Sequence, residues 1–223
     1  MPFVIGGGPC TYNPEPLADF FDLFYIGEGE TSYDALLDLY KDWKKSDESR
    51  EVFLHQAAKI PGIYVPALYE VSYKENGTLS SMEPVYDDIP RKIEKHVVTE
   101  LTASVYPDKP VVPFLKVTQD RVVLEVQRGC IRGCRFCQAG MIYRPLREKD
   151  VERLKRQADI MLANTGYEEI SLSSLSTSDY RELEDLINYL IEHHGKEHVN
   201  ISLPSLRVDA FSLEVMGKVQ DRS

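Results

Sequence analysis

The sequence predicts an α/β fold that contains a parallel sheet or barrel, and two observations carry this prediction. From residue 121 onward, short apolar runs alternate with amphipathic runs in the order strand, helix, strand, helix, strand, helix. A strand–helix–strand pattern also occupies residues 1–30. The 223-residue chain is 43% hydrophobic and 28% charged, which is typical of a globular protein and excludes a disordered or collagen-like chain.

In the first thirty residues, the runs 3–5 and 23–26 have the apolar character of strands. Residues 14–21 between them begin with prolines, which suit the first turn of a short helix. The triplet Gly6, Gly7 and Gly8 directly follows the first strand, where glycine permits a tight turn or a close approach to a ligand.

Residues 31–115 are interpreted as a linking region with a helix and a β-hairpin. Thr31 and Asp34 form a capping-box pattern, so a helix is expected to begin there. It is expected to break near residues 46–47 and to resume over 52–60. Residues 69–73 alternate in polarity, and the Asn-Gly pair at 76–77 indicates a hairpin turn.

The last hundred residues of the chain are expected to alternate strands with helices that each carry one apolar face. The predicted elements are strand 121–127, helix 147–164, strand 169–175, helix 179–194 with Ser178 as its N-cap, strand 199–203 and helix 210–219. A strand at residue 3 without a preceding sheet, and a parallel series that stops after three strands, would leave sheet edges unpaired. We therefore expect a segment of a longer protein, truncated at both ends.

Charge and hydropathy exclude several classes of partner. The formal net charge is −10, which does not indicate a nucleic-acid binder. No apolar run approaches the roughly 20 residues of a membrane span, and the first residues do not resemble a signal peptide, so we expect a cytoplasmic protein without membrane partners. Residues 116–156 carry an excess of six positive charges, compatible with an anionic ligand or with a solvated helix face.

Three of the four cysteines lie within eight residues of one another, as Cys130, Cys134 and Cys137 in a C-x3-C-x2-C pattern directly after a predicted strand. Thiolates at this spacing can converge on one face of a 4Fe–4S cluster and leave one iron open for another ligand. Nearby glycines allow the loop to turn tightly, and Arg132 and Arg135 would offset the thiolate charge. A zinc site and unrelated free thiols are the alternatives.

This loop resembles that of the radical S-adenosylmethionine (radical SAM) enzymes, in the cysteine spacing, in the aromatic Phe136 and in its position after the first strand. The resemblance implies a barrel of six βα units, of which three are present here, and a 4Fe–4S cluster whose open iron binds SAM. It implies reductive cleavage of SAM to a 5′-deoxyadenosyl radical that abstracts hydrogen from a substrate. It also implies an electron donor such as flavodoxin or ferredoxin.

The resemblance further implies SAM contacts at the ends of the later strands. By position, Ser173 and Ser174 after the second strand, with Ser205 and Arg207 after the third, are candidates for contacts to the amino, ribose and carboxylate groups. The Gly-Glu-Glu form found after the second strand in some members is absent. Phe136 would pack near the adenine, with core packing as its alternative.

The N-terminal residues resemble the end of the Rossmann-like cobalamin-binding domain of cobalamin-dependent radical SAM proteins, in the run 4–9, the segment 13–19 and the Gly-Glu-Gly-Glu run at 27–30. The resemblance implies that Gly6, Gly7 and Gly8 approach the nucleotide tail of cobalamin. An ordinary turn after a strand is the alternative. A D-x-H-x-x-G cobalt-ligand motif is not in this sequence.

These resemblances imply three parts: residues 1–30 as the end of a cobalamin-binding domain, 31–115 as the linker, and 116–223 as the first half of a radical SAM barrel. The implied function is radical modification of an unknown substrate, with methyl transfer foremost. A tRNA methylthiotransferase-like enzyme and a non-catalytic iron–sulfur or zinc module are the alternatives.

The parallel topology predicts where the cofactors would bind. Parallel α/β folds gather their chemistry at the carboxyl ends of the strands. We therefore expect the three sulfur atoms to share one cavity there, bordered by Ser174 and Arg207, with Arg132 and Arg135 at its rim.

Overall fold

The computed structural model describes residues 1–30, 32–207 and 217, and the chain divides into two compact units, Met1–Val98 and Thr99–Ser223. Each unit has a buried apolar cluster of its own. Of the helices that the structure describes, none combines the length and the apolar character that a bilayer crossing needs.

The first unit is built on a small mixed sheet. Strand β1 (Ile5–Gly6) pairs in parallel with β2 (Leu23–Tyr25), and β3 (Ile63–Tyr64) pairs with β2 in antiparallel fashion. Two 3₁₀ segments, Pro9–Tyr12 and Glu15–Phe20, connect β1 to β2, so the order strand–helix–strand is as predicted. The third strand was not expected, because it lies in the region interpreted as a linker.

Two helices and a hairpin complete this unit. Helix α1 (Tyr33–Trp43) begins after Ser32, whose side chain makes no capping bond, while Thr31 lies outside the described residues. Helix α2 (Arg50–Ala57) follows, so the predicted break between two helices is confirmed. Strands β4 (Tyr69–Tyr73) and β5 (Leu79–Pro84) form the predicted hairpin, with Gly77 at a φ of 78°.

The second unit contains a parallel sheet of three strands. Strand β6 (Val122–Glu125) and β10 (Asn200–Ser202) both pair in parallel with β9 (Glu169–Ser173), so the order is β10–β9–β6. The short helix α3 (Ala139–Ile142) lies between β6 and α4 (Val151–Thr165) in the sequence. Helix α4 and helix α5 (Leu183–His194), which follows β9, both pack their apolar faces into the core. The α/β class with a parallel sheet is confirmed.

Two helices of this unit begin later than predicted. Helix α4 begins at Val151 because strand β8 (Arg147–Glu148) pairs with β7 (Gln127–Arg128) and accounts for the preceding residues. Helix α5 begins at Leu183, after a 3₁₀ turn over Thr177–Asp179, and Ser178 is therefore not its N-cap. The helix predicted over 210–219 lies outside the described residues except at Gly217.

The predicted division of the chain at residues 30 and 115 stays a prediction. The compact units divide instead between Val98 and Thr99, and residues 32–98 share the first unit with the β1–β2–β3 sheet. The predicted parts are defined by resemblance to protein families, whereas the compact units are defined by spatial proximity.

Candidate active site at the cysteine loop

The three cysteines follow the carboxyl end of the parallel sheet. Glu125, the last residue of β6, is in register with Ser173, the last residue of β9. The Val126 amide continues the ladder by donating to the Ser173 carbonyl over 3.0 Å. The segment 129–138, which we call the cysteine loop, therefore begins beside the end of the neighbouring strand, as predicted for a site in a parallel α/β fold.

Gly129 sets the direction in which the cysteine loop leaves the strand. Its φ is +87°, a conformation that residues with a side chain rarely adopt. A Cβ atom at this position would also lie 2.7 Å from the carbonyl oxygen of Tyr143 and still closer to that of Pro145. Glycine before Cys130 is therefore required both by the backbone angle and by the neighbouring segment.

Cys130, Cys134 and Cys137 are all free thiols of intermediate burial. The Cys130 sulfur accepts a bond from the Arg132 amide at 3.4 Å, and the Cys137 amide donates to the Cys134 carbonyl at 3.0 Å. Across residues 1–30, 32–207 and 217, no three or more His, Cys, Asp or Glu side chains are arranged to hold a metal ion. In the described part of the chain, local hydrogen bonds orient the cysteine loop, and the convergence of the three sulfur atoms stays a prediction.

The donor set nevertheless fits an iron–sulfur cluster in its chemistry. Three thiols close in sequence are ligands that such clusters take, and none of them is engaged in a disulfide. Ile131 and Phe136 in the same loop are exposed, so packing into the core does not fix these parts of the loop. The residues therefore fit the cluster in identity.

A cavity of about 220 Å³ lies at the strand ends beside the cysteine loop. It is lined by residues from β6 and β7, by the start of the loop and by the end of β9, among them Glu125, Gln127, Arg128, Gly129, Ser173 and Ser174. Gln127 is buried and donates from Nε2 to the Ser176 carbonyl at 2.6 Å, while its Oε1 has no hydrogen-bond partner in the structure. The cavity therefore combines serine hydroxyls with a buried acceptor that a ligand could satisfy.

The turn after β9 connects the ends of all three parallel strands. Ser174 Oγ lies 2.8 Å from Thr177 Oγ1, and the Thr177 amide donates to the Ser205 carbonyl at 2.8 Å. The Arg207 amide donates to Ser178 Oγ at 3.1 Å. The structure thus brings Ser174, Ser205 and Arg207 into one network, although Ser205 and Arg207 are not among the described residues that line the cavity.

Arg132 joins the cysteine loop to this turn. Its guanidinium donates to both carboxylate oxygens of Asp179, with Nε 3.0 Å from Oδ2. The hydrogen bond from Arg132 is the largest cause of the lowered pKa of Asp179, which also accepts from Ser176 Oγ. Arg135, the other predicted rim residue, is exposed.

A second ion pair, between Arg128 and Glu125, lines the cavity. Arg128 donates to both oxygens of Glu125 at 2.8 and 2.9 Å. The Lys149 ammonium lies 3.7 Å from the same carboxylate and 4.0 Å from the centre of the Tyr106 ring. Because Lys149 is only 2% exposed, desolvation lowers the pKa of its ammonium.

Phe136 is 92% exposed, so core packing does not explain it. An exposed aromatic ring in the cysteine loop is available to a flat ligand.

The three glycines at positions 6–8 of the first unit differ in their burial. Gly6 is buried, and a Cβ there would lie 2.5 Å from the Phe24 ring, so packing explains this glycine. Gly7 and Gly8 are exposed, Gly8 has a φ of +90°, and nothing lies within 4 Å of a Cβ built on Gly8. Only the last two leave an open approach to the backbone.

Reasoning from the sequence missed Asp179 and Gln127. Asp179 stood at the predicted start of a helix, and Gln127 at the end of a predicted strand. The only sequence signal for these two residues is their position, because each follows the apolar part of a predicted strand. Their hydrogen-bond partners lie far away in the sequence.

Comparison with known proteins agrees with this geometry. The family model described as "Radical SAM proteins, N-terminal" matches residues 1–66, and the model described as "Radical SAM superfamily" matches residues 124–222. The second match includes the cysteine loop and all three parallel strands except the first two residues of β6.

Proteins similar to the chain include two curated proteins and a solved structure. An uncharacterised protein of Methanocaldococcus jannaschii is 28% identical over 213 residues, which is 95% of this chain and 39% of that protein. The threonylcarbamoyladenosine tRNA methylthiotransferase MtaB of Bacillus subtilis is 35% identical over 82 residues, which is 37% of this chain and 18% of that protein. The chain therefore spans well under half the length of these relatives.

The solved structure is that of the radical SAM methyltransferase TsrM from Kitasatospora setae, with cobalamin and a [4Fe–4S] cluster bound. It is 15% identical and has a TM-score of 0.51, and the match covers 89% of this chain and 37% of that one, which indicates a shared fold. Residues 124–222, which contain the loop of three free thiols, thus match the radical SAM superfamily, and residues 1–66 match the N-terminal region of radical SAM proteins.

Proposed function

We propose that this chain is the cluster-bearing part of a radical SAM enzyme that cleaves SAM reductively to modify a substrate. The observation that carries the proposal is the position of three free thiols at the carboxyl end of a parallel sheet, beside a cavity lined by Ser173 and Ser174. When bound to these thiolates, a 4Fe–4S cluster supplies an open iron for SAM and the electron for its cleavage.

The proposed roles of the other residues follow from their places around the loop. Ser173 and Ser174 would bind polar groups of SAM from the cavity wall. The exposed ring of Phe136 would cover the adenine, and Ser205 and Arg207 would contact the ribose or carboxylate. A reduced flavodoxin or ferredoxin would deliver the electron.

Anaerobic reconstitution with iron and sulfide tests the cluster. We expect about four irons per chain, lost in Cys130→Ala, Cys134→Ala and Cys137→Ala, because two thiolates do not hold the cluster. Cys10→Ala is the matched control, since Cys10 is also a free thiol but lies in the other unit. Stoichiometric zinc without iron uptake would contradict the proposal and favour a zinc module.

We further propose that the enzyme is associated with cobalamin and transfers a methyl group. Support comes from the open backbone at Gly7 and Gly8 and from the cobalamin in the structurally similar TsrM. A bulky side chain at Gly8 would block the approach of the nucleotide tail, so Gly8→Val should weaken the binding of hydroxocobalamin.

Gly77→Val controls for backbone strain. Gly77 has a φ of +78° and, like Gly8, has nothing within 4 Å of a Cβ built on it. Equal binding of hydroxocobalamin by the two variants and the wild type, measured by absorbance titration, would contradict a role for the triplet.

A tRNA methylthiotransferase-like activity is a second candidate, favoured by the 82-residue similarity to MtaB. This sequence has one cysteine besides the triplet, so it carries no second cysteine triplet. Incubating the reconstituted protein with SAM and tRNA separates the candidates, because a thiolated nucleoside in the tRNA digest would identify the methylthiotransferase.

A further inference from the structure

We infer that Arg132 and Asp179 form a clamp that positions the cysteine loop for metal binding, an inference that rests on the proposed function. Arg132 lies midway between Cys130 and Cys134 in the sequence. Fixing its side chain therefore restricts the positions of both neighbouring thiols. Asp179 belongs to the turn after β9, 47 residues away, so the pair connects the loop to the sheet.

The pair has the geometry of a strong interaction. Both guanidinium donors reach the two carboxylate oxygens, which is the bidentate form of the arginine–carboxylate bond. The side chain of Asp179 is only 6% exposed, whereas that of Arg132 is 37% exposed. The buried carboxylate thus serves as a fixed anchor, and the arginine extends from the more exposed loop to meet it.

The anchor is held by contacts from several elements. Ser176 Oγ donates to Asp179 Oδ2 at 2.8 Å, and the Asp179 amide donates to the Ser176 carbonyl at 3.0 Å. The same carbonyl accepts from the buried Gln127 side chain of β7, and the Thr177 amide reaches Ser205 after β10. Because the turn is bonded to β7 and to the segment after β10, it can set the position of the loop.

The clamp differs from simple charge compensation by a basic side chain. Arg135 brings the same charge to the same loop but is exposed. If charge alone mattered, Arg132 and Arg135 would be equivalent. Lysine at position 132 would also suffice for charge, although it cannot make the bidentate bond.

Alkylation of the metal-free, reduced full-length chain tests the clamp without any cofactor. Iodoacetamide labelling of each cysteine is followed by mass spectrometry, with Cys10 as the internal reference for reagent and pH. Losing a charge-assisted bidentate bond should free the loop, so Arg132→Met and Asp179→Asn should each speed the labelling of Cys130 and Cys134 roughly tenfold.

Three further variants make the result specific. Arg135→Met measures the effect of losing one positive charge and should leave the rates close to wild type. Arg132→Lys should resemble Arg132→Met. The double variant Arg132→Met/Asp179→Asn should label no faster than either single variant, because the two residues act through one bond. Thermal unfolding of each variant confirms that the rates report on folded protein.

Iron uptake at limiting iron completes the test. The proposal expects Arg132→Met and Asp179→Asn to retain several-fold less iron than Arg135→Met. Wild-type labelling rates in both clamp variants, with normal iron uptake, would overturn the clamp and leave the proposed function standing. A wild type that takes up no iron would refute the proposed function. Faster labelling of Cys130 and Cys134 in the clamp variants would still support the clamp.

Discussion

At the scale of single residues, Gly129 is the position where the site depends most directly on backbone geometry. Its positive φ and the carbonyl oxygens of residues 143 and 145 both oppose a side chain. We expect Gly129→Ala to destabilise the second unit by about 1–3 kcal/mol, measured by urea unfolding. Gly133→Ala in the same loop should have a much smaller effect, since nothing lies within 4 Å of its Cβ position. Equal losses of unfolding free energy in the two variants would show that the two nearby carbonyl oxygens do not require glycine at position 129.

Lys149 makes stability depend on pH. Burial lowers the pKa of its ammonium below the ordinary value of 10.5, so between these two pKa values the unfolded chain binds more protons than the folded one. The contribution of Lys149 to the free energy of unfolding should therefore rise with pH as the pH approaches 10.5. Lys149→Met removes this contribution, so the difference in unfolding free energy between the wild type and the variant should increase with pH over this range. Parallel pH profiles for the two proteins would contradict the lowered pKa.

At the scale of elements, apolar periodicity predicted the order of strands and helices but misplaced two helix starts. Helix α5 was expected from Asp179, whereas Ser176 and Asp179 form a turn that binds Arg132, a partner 47 residues away. Helix α4 was expected from Arg147, which instead pairs with Arg128 across a short antiparallel ladder. Both errors occur where contacts distant in sequence replace local helix signals.

For the candidate site too, local sequence features were predicted and contacts between distant residues were not. The cysteine triplet and the serines after β9 are contiguous in sequence, so spacing and strand order predicted where they would lie. The Arg132–Asp179 pair and the Gln127 contact depend on how strand ends meet in space, which periodicity does not encode.

Asp150 caps the N-terminus of helix α4, and substitutions can test this cap. The Asp150 side chain accepts from the Arg153 amide at 2.9 Å and satisfies a donor that the helix leaves free. Asp150→Ala should cost about 1 kcal/mol of unfolding free energy, whereas Asp150→Asn, which keeps an acceptor, should cost little. Chemical denaturation of the three proteins checks this, and an equal loss in both variants would assign the effect to charge.

At the scale of the whole molecule, the described residues form two cores. The first includes Leu23, Phe24 and Tyr64, and the second includes Leu124, Ile170 and Leu186, all nearly inaccessible to solvent. The proposed cobalamin approach lies in the first unit and the cysteine loop in the second. Each proposed cofactor site can therefore be altered by substitutions within one unit.

Leu186→Ala tests whether each core stabilises its own unit. Leu186 is fully buried in the second core, so its truncation should leave a cavity and cost about 2–5 kcal/mol. Hydrogen exchange followed by mass spectrometry should show faster exchange in peptides from Thr99–Ser223, and unchanged exchange in peptides from Met1–Val98. Ile63→Ala, in the first core, should give the reverse pattern. Faster exchange across both units in either variant would mean that the two cores unfold as one cooperative structure. Substitutions in one unit would then also affect the proposed cofactor site in the other.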